Sequence, residues 1–108
     1  MFYEPRNGHG LRYDPFRAIV APRPIGWIST VSADGYVNLA PYSFFNALCG
    51  KPPIVGFCSE GLKDSATNAL ETGEFVVNLA TRRMAEAINR TSTRLDREVD
   101  EFDYAGVE

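Results

Sequence analysis

Residues 22–46 read PRPIGWISTVSADGYVNLAPYSFFN, and the fold follows from how this stretch is read. Ile25, Trp27, Ser29 and Val31 alternate with Gly26, Ile28, Thr30 and Ser32, so a period-2 element carries apolar and hydroxyl groups on both faces. A strand of that kind packs and hydrogen-bonds at once. Asp34-Gly35 follows it, a strong hairpin signal, because the turns that match strand twist need the positive φ that glycine adopts freely. The next run ends in Tyr42-Ser43-Phe44-Phe45-Asn46, an aromatic exit. The stretch therefore predicts strand, tight turn, strand.

On the N-terminal side, residues 1–16 hold Pro5, Gly8, Gly10 and Pro15 among the apolar Phe2, Tyr3, Leu11, Tyr13 and Phe16. That mixture predicts an extended arm anchored on a surface, its own or a partner's. Phe16–Ala21 is long enough for a short strand before Pro22 and Pro24 interrupt it. On the C-terminal side, Lys51-Pro52-Pro53 breaks the chain ahead of Ile54-Val55-Gly56-Phe57-Cys58, an apolar run with the length of a buried strand, in which Gly56 marks a bulge or a close approach. Ser59-Glu60-Gly61-Leu62 reads as a loop. Residues 63–70 read as a short helix with Asp64 as its N-cap and Gly73 in the left-handed position beyond its end. Phe75–Leu79 is a further strand, a second helix runs from a Thr81 cap to about Asn89, and a helical turn fits Asp100–Tyr104.

At 108 residues the chain holds one domain, which buries roughly 60–70% of its extended surface. A net charge of −3 argues against a nucleic-acid footprint, including an aromatic barrel that stacks single strands, because such surfaces are positive. No apolar run reaches membrane-spanning length, and MFYEPRNGHG has neither the basic nor the apolar region of an export signal. Asn89-Arg90-Thr91, a glycosylation tripeptide, is read as chance on the same ground. Cys49 and Cys58 form no CxxC pair and no Cys/His cluster, so two free thiols in a reducing cytoplasm are expected, with no metal. His9 is the single histidine and lies in Asn7-Gly8-His9-Gly10, a loop, which leaves no histidine-centred triad.

Several of these segments together resemble the flavin reductase-like family. They are Pro22-Arg23-Pro24-Ile25-Gly26-Trp27-Ile28-Ser29-Thr30, Asp34-Gly35, Asn38-Leu39-Ala40-Pro41-Tyr42-Ser43-Phe44-Phe45-Asn46, Pro52-Pro53, Lys63-Asp64-Ser65, Gly73-Glu74-Phe75-Val76-Val77-Asn78-Leu79, Asp100-Glu101-Phe102 and Ala105-Gly106. The order and spacing are similar to the branch with flavoredoxin and the reductase component of nitrilotriacetate monooxygenase, and the chain resembles the N-terminal half of such a protein. The resemblance implies a mostly-β, Greek-key split barrel with short flanking α-helices, incomplete in this chain. It also implies bound FMN, with FAD the alternative, NADH or NADPH as transient reductant, a homodimer, and a partner monooxygenase that receives reduced flavin.

Read as residues alone, Lys63-Asp64-Ser65 is an ordinary solvated cap and Phe44-Phe45 is core. The resemblance instead assigns cofactor contacts to Trp27, Ser29, Thr30, Ser43, Phe44, Phe45, Asn46, Ser59, Lys63, Asp64 and Ser65. Lys63 and the Ser65 hydroxyl would face the phosphate with Asp64 capping, while residues 43–46 would hold the ring. No side chain is expected to do acid–base work, because in flavin chemistry the protein aligns two rings and excludes water. A non-catalytic electron carrier and a barrel without cofactor are the alternatives.

Overall fold

The computed structural model describes residues 2–107; Met1, the first residue of the expected arm, and Glu108 lie outside the described residues. Strand β1 (Gly26–Val31) is central in a three-stranded antiparallel sheet, between β2 (Val37–Tyr42) and β5 (Val76–Leu79). Gly26 faces Tyr42 across one ladder and Leu79 across the other. The β1–β2 turn closes as expected: Gly35 takes φ 90°, and the Ser32 hydroxyl accepts from the Tyr36 amide at 2.9 Å. Gly26, Ile28, Thr30 and Ser32 are all buried on one face of β1, and Trp27 is buried on the other.

Strands β3 (Phe45–Gly50) and β4 (Pro53–Phe57) form a separate hairpin. Strand β3 corrects the expected aromatic exit, since Phe45 and Asn46 already pair with Phe57 and Gly56. Residues 45–50 lack the alternation and the β-branched side chains that mark a strand locally, so the ladder with β4 decides their conformation. The register shift falls in β3, between Ala47 and Cys49. Gly56 is instead a close approach: a Cβ there would lie 2.7 Å from Leu48 Cδ1.

Residues expected as a strand at Phe16–Ala21 begin inside a helix, α1 (Pro15–Ile19). Asp14 accepts from the Phe16 amide at 2.9 Å and Pro15 occupies the first turn, a start signal that outweighs the apolar run. The arm also carries a 3₁₀ turn at Pro5–Asn7. Helix α2 (Asp64–Thr72) packs on β1 and β2 and ends at left-handed Gly73, as expected. Its N-cap is Lys63 and not Asp64, which already has helical position in the first turn. After β5, a 3₁₀ turn at Arg82–Met84 leads into α3 (Ala85–Arg90), and Thr81 makes no side-chain cap. Helix α4 (Glu101–Ala105) is capped by Asp100, which accepts from the Phe102 amide at 2.8 Å.

The two sheets do not close on each other. The Cα radius of gyration is 15.9 Å, against about 13 Å for a compact chain of this length. Leu48, Leu70, Val76 and Leu79 are accordingly exposed.

Candidate functional site

The N-terminus of α2 opens onto a groove of about 590 Å³. Its walls come from β2 (Asn38 to Tyr42), the loop and first turn carrying Leu62 to Ser65, the segment Thr91–Leu95, and Glu101 of α4. A helix start leaves amides without intrahelical acceptors and carries the positive end of the helix dipole. Lys63 makes no side-chain cap, so it leaves those donors to the groove and adds its own charge beside them. Asp64 places a carboxylate in the same turn.

Three elements are tied together beneath the groove. Glu101 accepts from Asn38 Nδ2 at 2.7 Å and from the Leu39 amide at 3.2 Å, and the Ser65 hydroxyl donates to Asn38 Oδ1 at 2.5 Å. Helix α4, strand β2 and the first turn of α2 are thereby fixed through one asparagine. A parallel tie joins Asn68 Nδ2 of α2 to Thr30 Oγ1 of β1 at 3.1 Å. Burial pushes the Glu101 carboxyl above its ordinary 4.5, and the nearby Asp64 charge adds to the rise; hydrogen bonds from its own amide, Asn38 and Leu39 oppose it.

Beside this groove, and sharing Pro41, Tyr42, Glu60 and Lys63 with it, is a smaller cavity of about 200 Å³ that also meets Arg17, Arg23, Ser43 and Phe44. The Arg17 and Arg23 guanidinium carbons lie 5.9 and 5.5 Å from the centre of the Phe44 ring. Arg17 pairs with Glu60 at 2.6 Å, and Arg23 Nη1 donates to the Arg17 and Val20 carbonyls, which holds the end of α1 over the cavity. Arg23 Nε and Tyr42 Oη are buried without a partner among the described residues, a condition that costs about 1–3 kcal/mol for each neutral group.

Five of the residues expected at the site line these two cavities: Ser43 and Phe44 the smaller, Asp64 and Ser65 the larger, Lys63 both. The Ser65 hydroxyl is directed to Asn38 and not to an anion, because the residue is packed under the helix start. The others lie elsewhere. Trp27 donates its indole N–H to Thr91 Oγ1 at 2.9 Å, Ser29 accepts from Asn78 at 3.0 Å, and Thr30 accepts from Asn68. Phe45 sits over Gly26, Asn46 is exposed and bonds the Ala47 amide, and Ser59 bonds the Gly61 carbonyl at the rim of a separate apolar groove with Phe57, Leu70 and Phe75.

Arg17 and Glu60 carry no site signal in the sequence, and Tyr42 stands in the aromatic exit without a cofactor role assigned to it. Arg17 lay in a presumed strand, and no local pattern brings residue 17 to residue 60. Asn38, Arg23 and Glu101 stand in the quoted motifs, but nothing in the motifs states that Asn38 and Glu101 touch.

Residues 18–108 match the family described as flavin reductase like domain. A protein from Aquifex aeolicus described as uncharacterized is 43% identical over 94 residues, covering 82% of this chain and 48% of that protein. The crystal structure of nitrilotriacetate monooxygenase component B from Bacillus cereus superposes with a TM-score of 0.82 at 29% identity, over 98% of this chain and 55% of that one. A Shewanella frigidimarina structure with a split barrel domain superposes at 0.72 with 26% identity, over 78% of this chain and 42% of that one. The chain spans about half the length of the relatives it matches.

Proposed function

The chain belongs to the flavin reductase-like domain family, and from that premise we propose that it binds FMN along the groove at the start of α2 and takes part in NAD(P)H-dependent flavin reduction. A mostly-β split-barrel fold with short helices is given by the family and its structural neighbours, which also support a flavin-related oxidoreductase role. The observation that carries the finer reading is the uncapped N-terminus of α2, which meets the groove beside Lys63. Free amides and the Lys63 cation, with Arg94 also lining the groove, are the donor set a phosphate monoester needs; the carboxylates of Glu60, Asp64 and Glu101 line the same groove, so the anion is placed at the helix start itself.

When bound, a flavin supplies a ring that accepts hydride from a nicotinamide. The chain's own part is to bind and orient. Lys63 and the first-turn amides of α2 hold the phosphate, and Asn38 holds that turn in place through Ser65. Ser43 and Phe44, which follow the end of β2 and line the smaller cavity, would flank the ring, and Phe45 and Asn46 continue the chain into β3. Trp27 acts through Thr91, keeping the groove wall at residues 91–95 against β1, while Ser29 and Thr30 anchor β1 to β5 and α2.

A monooxygenase is the proposed electron acceptor, on the analogy of the Bacillus cereus component B. A second copy of the chain is the proposed cover for the apolar side chains Leu48, Leu70, Val76 and Leu79. Two exposed free thiols, Cys49 and Cys58, support a reducing cytoplasm. Among the described residues no helix is long and apolar enough to cross a membrane.

The test is a visible absorption spectrum of the purified protein, followed by FMN titration and an NADH-oxidation assay with FMN present. Flavin released on denaturation, or saturable FMN uptake, together with NADH turnover is the expected result. A colourless protein that ignores FMN overturns the cofactor assignment; bound flavin without turnover, with either nicotinamide, leaves an electron carrier in place of a reductase.

A further inference from the structure

The smaller cavity carries side chains, Arg17, Arg23 and Tyr42, to which the proposed flavin contacts give no part. Arg17, Arg23 and Lys63 converge on about 200 Å³, and against the single Glu60 carboxylate they leave an excess of two positive charges. Tyr42 is 7% exposed, lines the cavity, and has a hydroxyl with no partner among the described residues; Arg23 Nε is in the same condition. Unsatisfied buried donors beside clustered guanidinium groups are a set built for a multiply charged oxyanion.

Glu60 occupies part of that role already. Its carboxylate meets Arg17 Nη2 at 2.6 Å, so the guanidinium is positioned to bind an anion and is held by an internal one. Glu60 sits in the loop between β4 and α2, next to Gly61 with φ 82°. Displacing its side chain from Arg17 breaks one exposed ion pair, and exposed pairs are weak.

We propose that Arg17 and Arg23, with the Tyr42 hydroxyl, form a second phosphate pocket that takes a phosphoryl group of the dinucleotide hydride donor, and that Glu60 is the displaceable anion that this group replaces on Arg17. The identity of the ligand rests on the flavin reductase reading. A donor stacked near Ser43 and Phe44 would lie against this cavity, which shares Tyr42 and Lys63 with the flavin groove as lining residues. The Arg17 and Arg23 guanidinium groups, 5.9 and 5.5 Å from the Phe44 ring centre, give the pocket its charge.

The experiment is calorimetric titration of the protein with inorganic pyrophosphate, without FMN and with FMN in excess. Pyrophosphate is expected to bind in both conditions. Arg17→Gln weakens it about tenfold or more, the loss of one charge-assisted contact, and Glu60→Gln tightens it severalfold by removing the competing carboxylate. Opposite signs from two exposed residues separate the effect from damage to the fold. Exclusion of pyrophosphate by FMN overturns the proposal, since the cavity then belongs to the flavin phosphate. Indifference of pyrophosphate to both substitutions overturns it as well. Failure of FMN to bind defeats the flavin reading alone, because the titration without FMN still reads the pocket.

Discussion

Replacing Asn38 with leucine keeps the branched shape of a residue that is 8% exposed and removes both of its hydrogen-bonding arms. The donor arm meets a buried carboxylate, Glu101, and a bond of that charge-assisted kind contributes about 1.5–3 kcal/mol. The acceptor arm takes the Ser65 hydroxyl, a neutral contact worth about 1 kcal/mol. Leucine at this site recovers about 1 kcal/mol by burial, so Asn38→Leu is expected to destabilise the fold by about 1.5–3 kcal/mol, a large share of the 5–15 kcal/mol typical of a domain.

Urea unfolding followed by tryptophan fluorescence measures it, since Trp27 is the sole indole and is buried. The loss also carries a pH signature. Glu101 has its folded carboxyl pushed above the ordinary 4.5, so between 4.5 and the raised value the folded chain holds a proton that the unfolded chain has released, and stability falls as pH rises through that window. The Asn38 bond opposes the rise. Without it the window extends further upward, so the penalty for Asn38→Leu is smallest near pH 4.5 and grows towards neutrality. Glu101→Gln flattens the slope. A penalty below about 1 kcal/mol, smaller than a single charge-assisted bond contributes, or one that is the same at both ends of the range, refutes the assignment of Asn38 as the tie between α4 and α2.

Thr91→Val leaves the Trp27 indole N–H buried without an acceptor and is expected to cost about 1–3 kcal/mol, read as a lower urea midpoint. Gly26→Ala places a Cβ 2.6 Å from two ring carbons of Phe45 and 3.1 Å from its Cβ; overpacking of this kind costs about 1–3 kcal/mol, and an unchanged melting temperature would mean that the hairpin moves freely against β1. Lys63→Ala is expected to weaken FMN about tenfold while leaving the unfolding midpoint in place, because the side chain is exposed and makes no cap; equal FMN dissociation constants for the two proteins would move the phosphate away from α2.

Strand β1 and the turn after it are legible because their cause is local: alternation from Ile25 to Ser32 and a glycine that needs positive φ at residue 35. The ends of α2 and α4 at Gly73 and Gly106 are of the same kind. Strand β3 is not legible, because its conformation comes from a ladder with β4 and its own residues carry no period. Helix α1 shows two local signals in conflict, an apolar run against an Asp-Pro start, and the start prevails. At the candidate site, Lys63-Asp64-Ser65 marks the right helix, but the choice of Lys63 as N-cap turns on backbone dihedrals that sequence does not print. Contacts between distant residues, Asn38 with Glu101 and Arg17 with Glu60, have no local trace.

Among the described residues the buried side chains divide unevenly. Trp27, Ile28, Leu39, Tyr42 and Ala105 are the buried apolar ones, while Thr30, Ser32, Asn38, Ser65, Asn68, Thr91 and Glu101 are the buried polar ones. Apolar packing is tolerant of small shifts, whereas a buried hydrogen bond loses its value within a fraction of an ångström and leaves two groups unsatisfied. The polar ties join β1, β2, α2, α4 and the segment at Thr91, the same elements that wall the groove. Exposed apolar side chains lie on β3, β4 and β5 and at Leu70 of α2, and others lie on the N-terminal arm, on α1, at Val31 of β1 and at Tyr104 of α4. The groove is therefore held in shape by directional bonds, and the apolar surface at Leu48, Val76 and Leu79, none of which lines it, is free to be covered without altering it. Substitutions among the ties should move cofactor affinity and stability together, while polar substitutions at Leu48 or Leu79 should alter association between chains and leave FMN affinity unchanged.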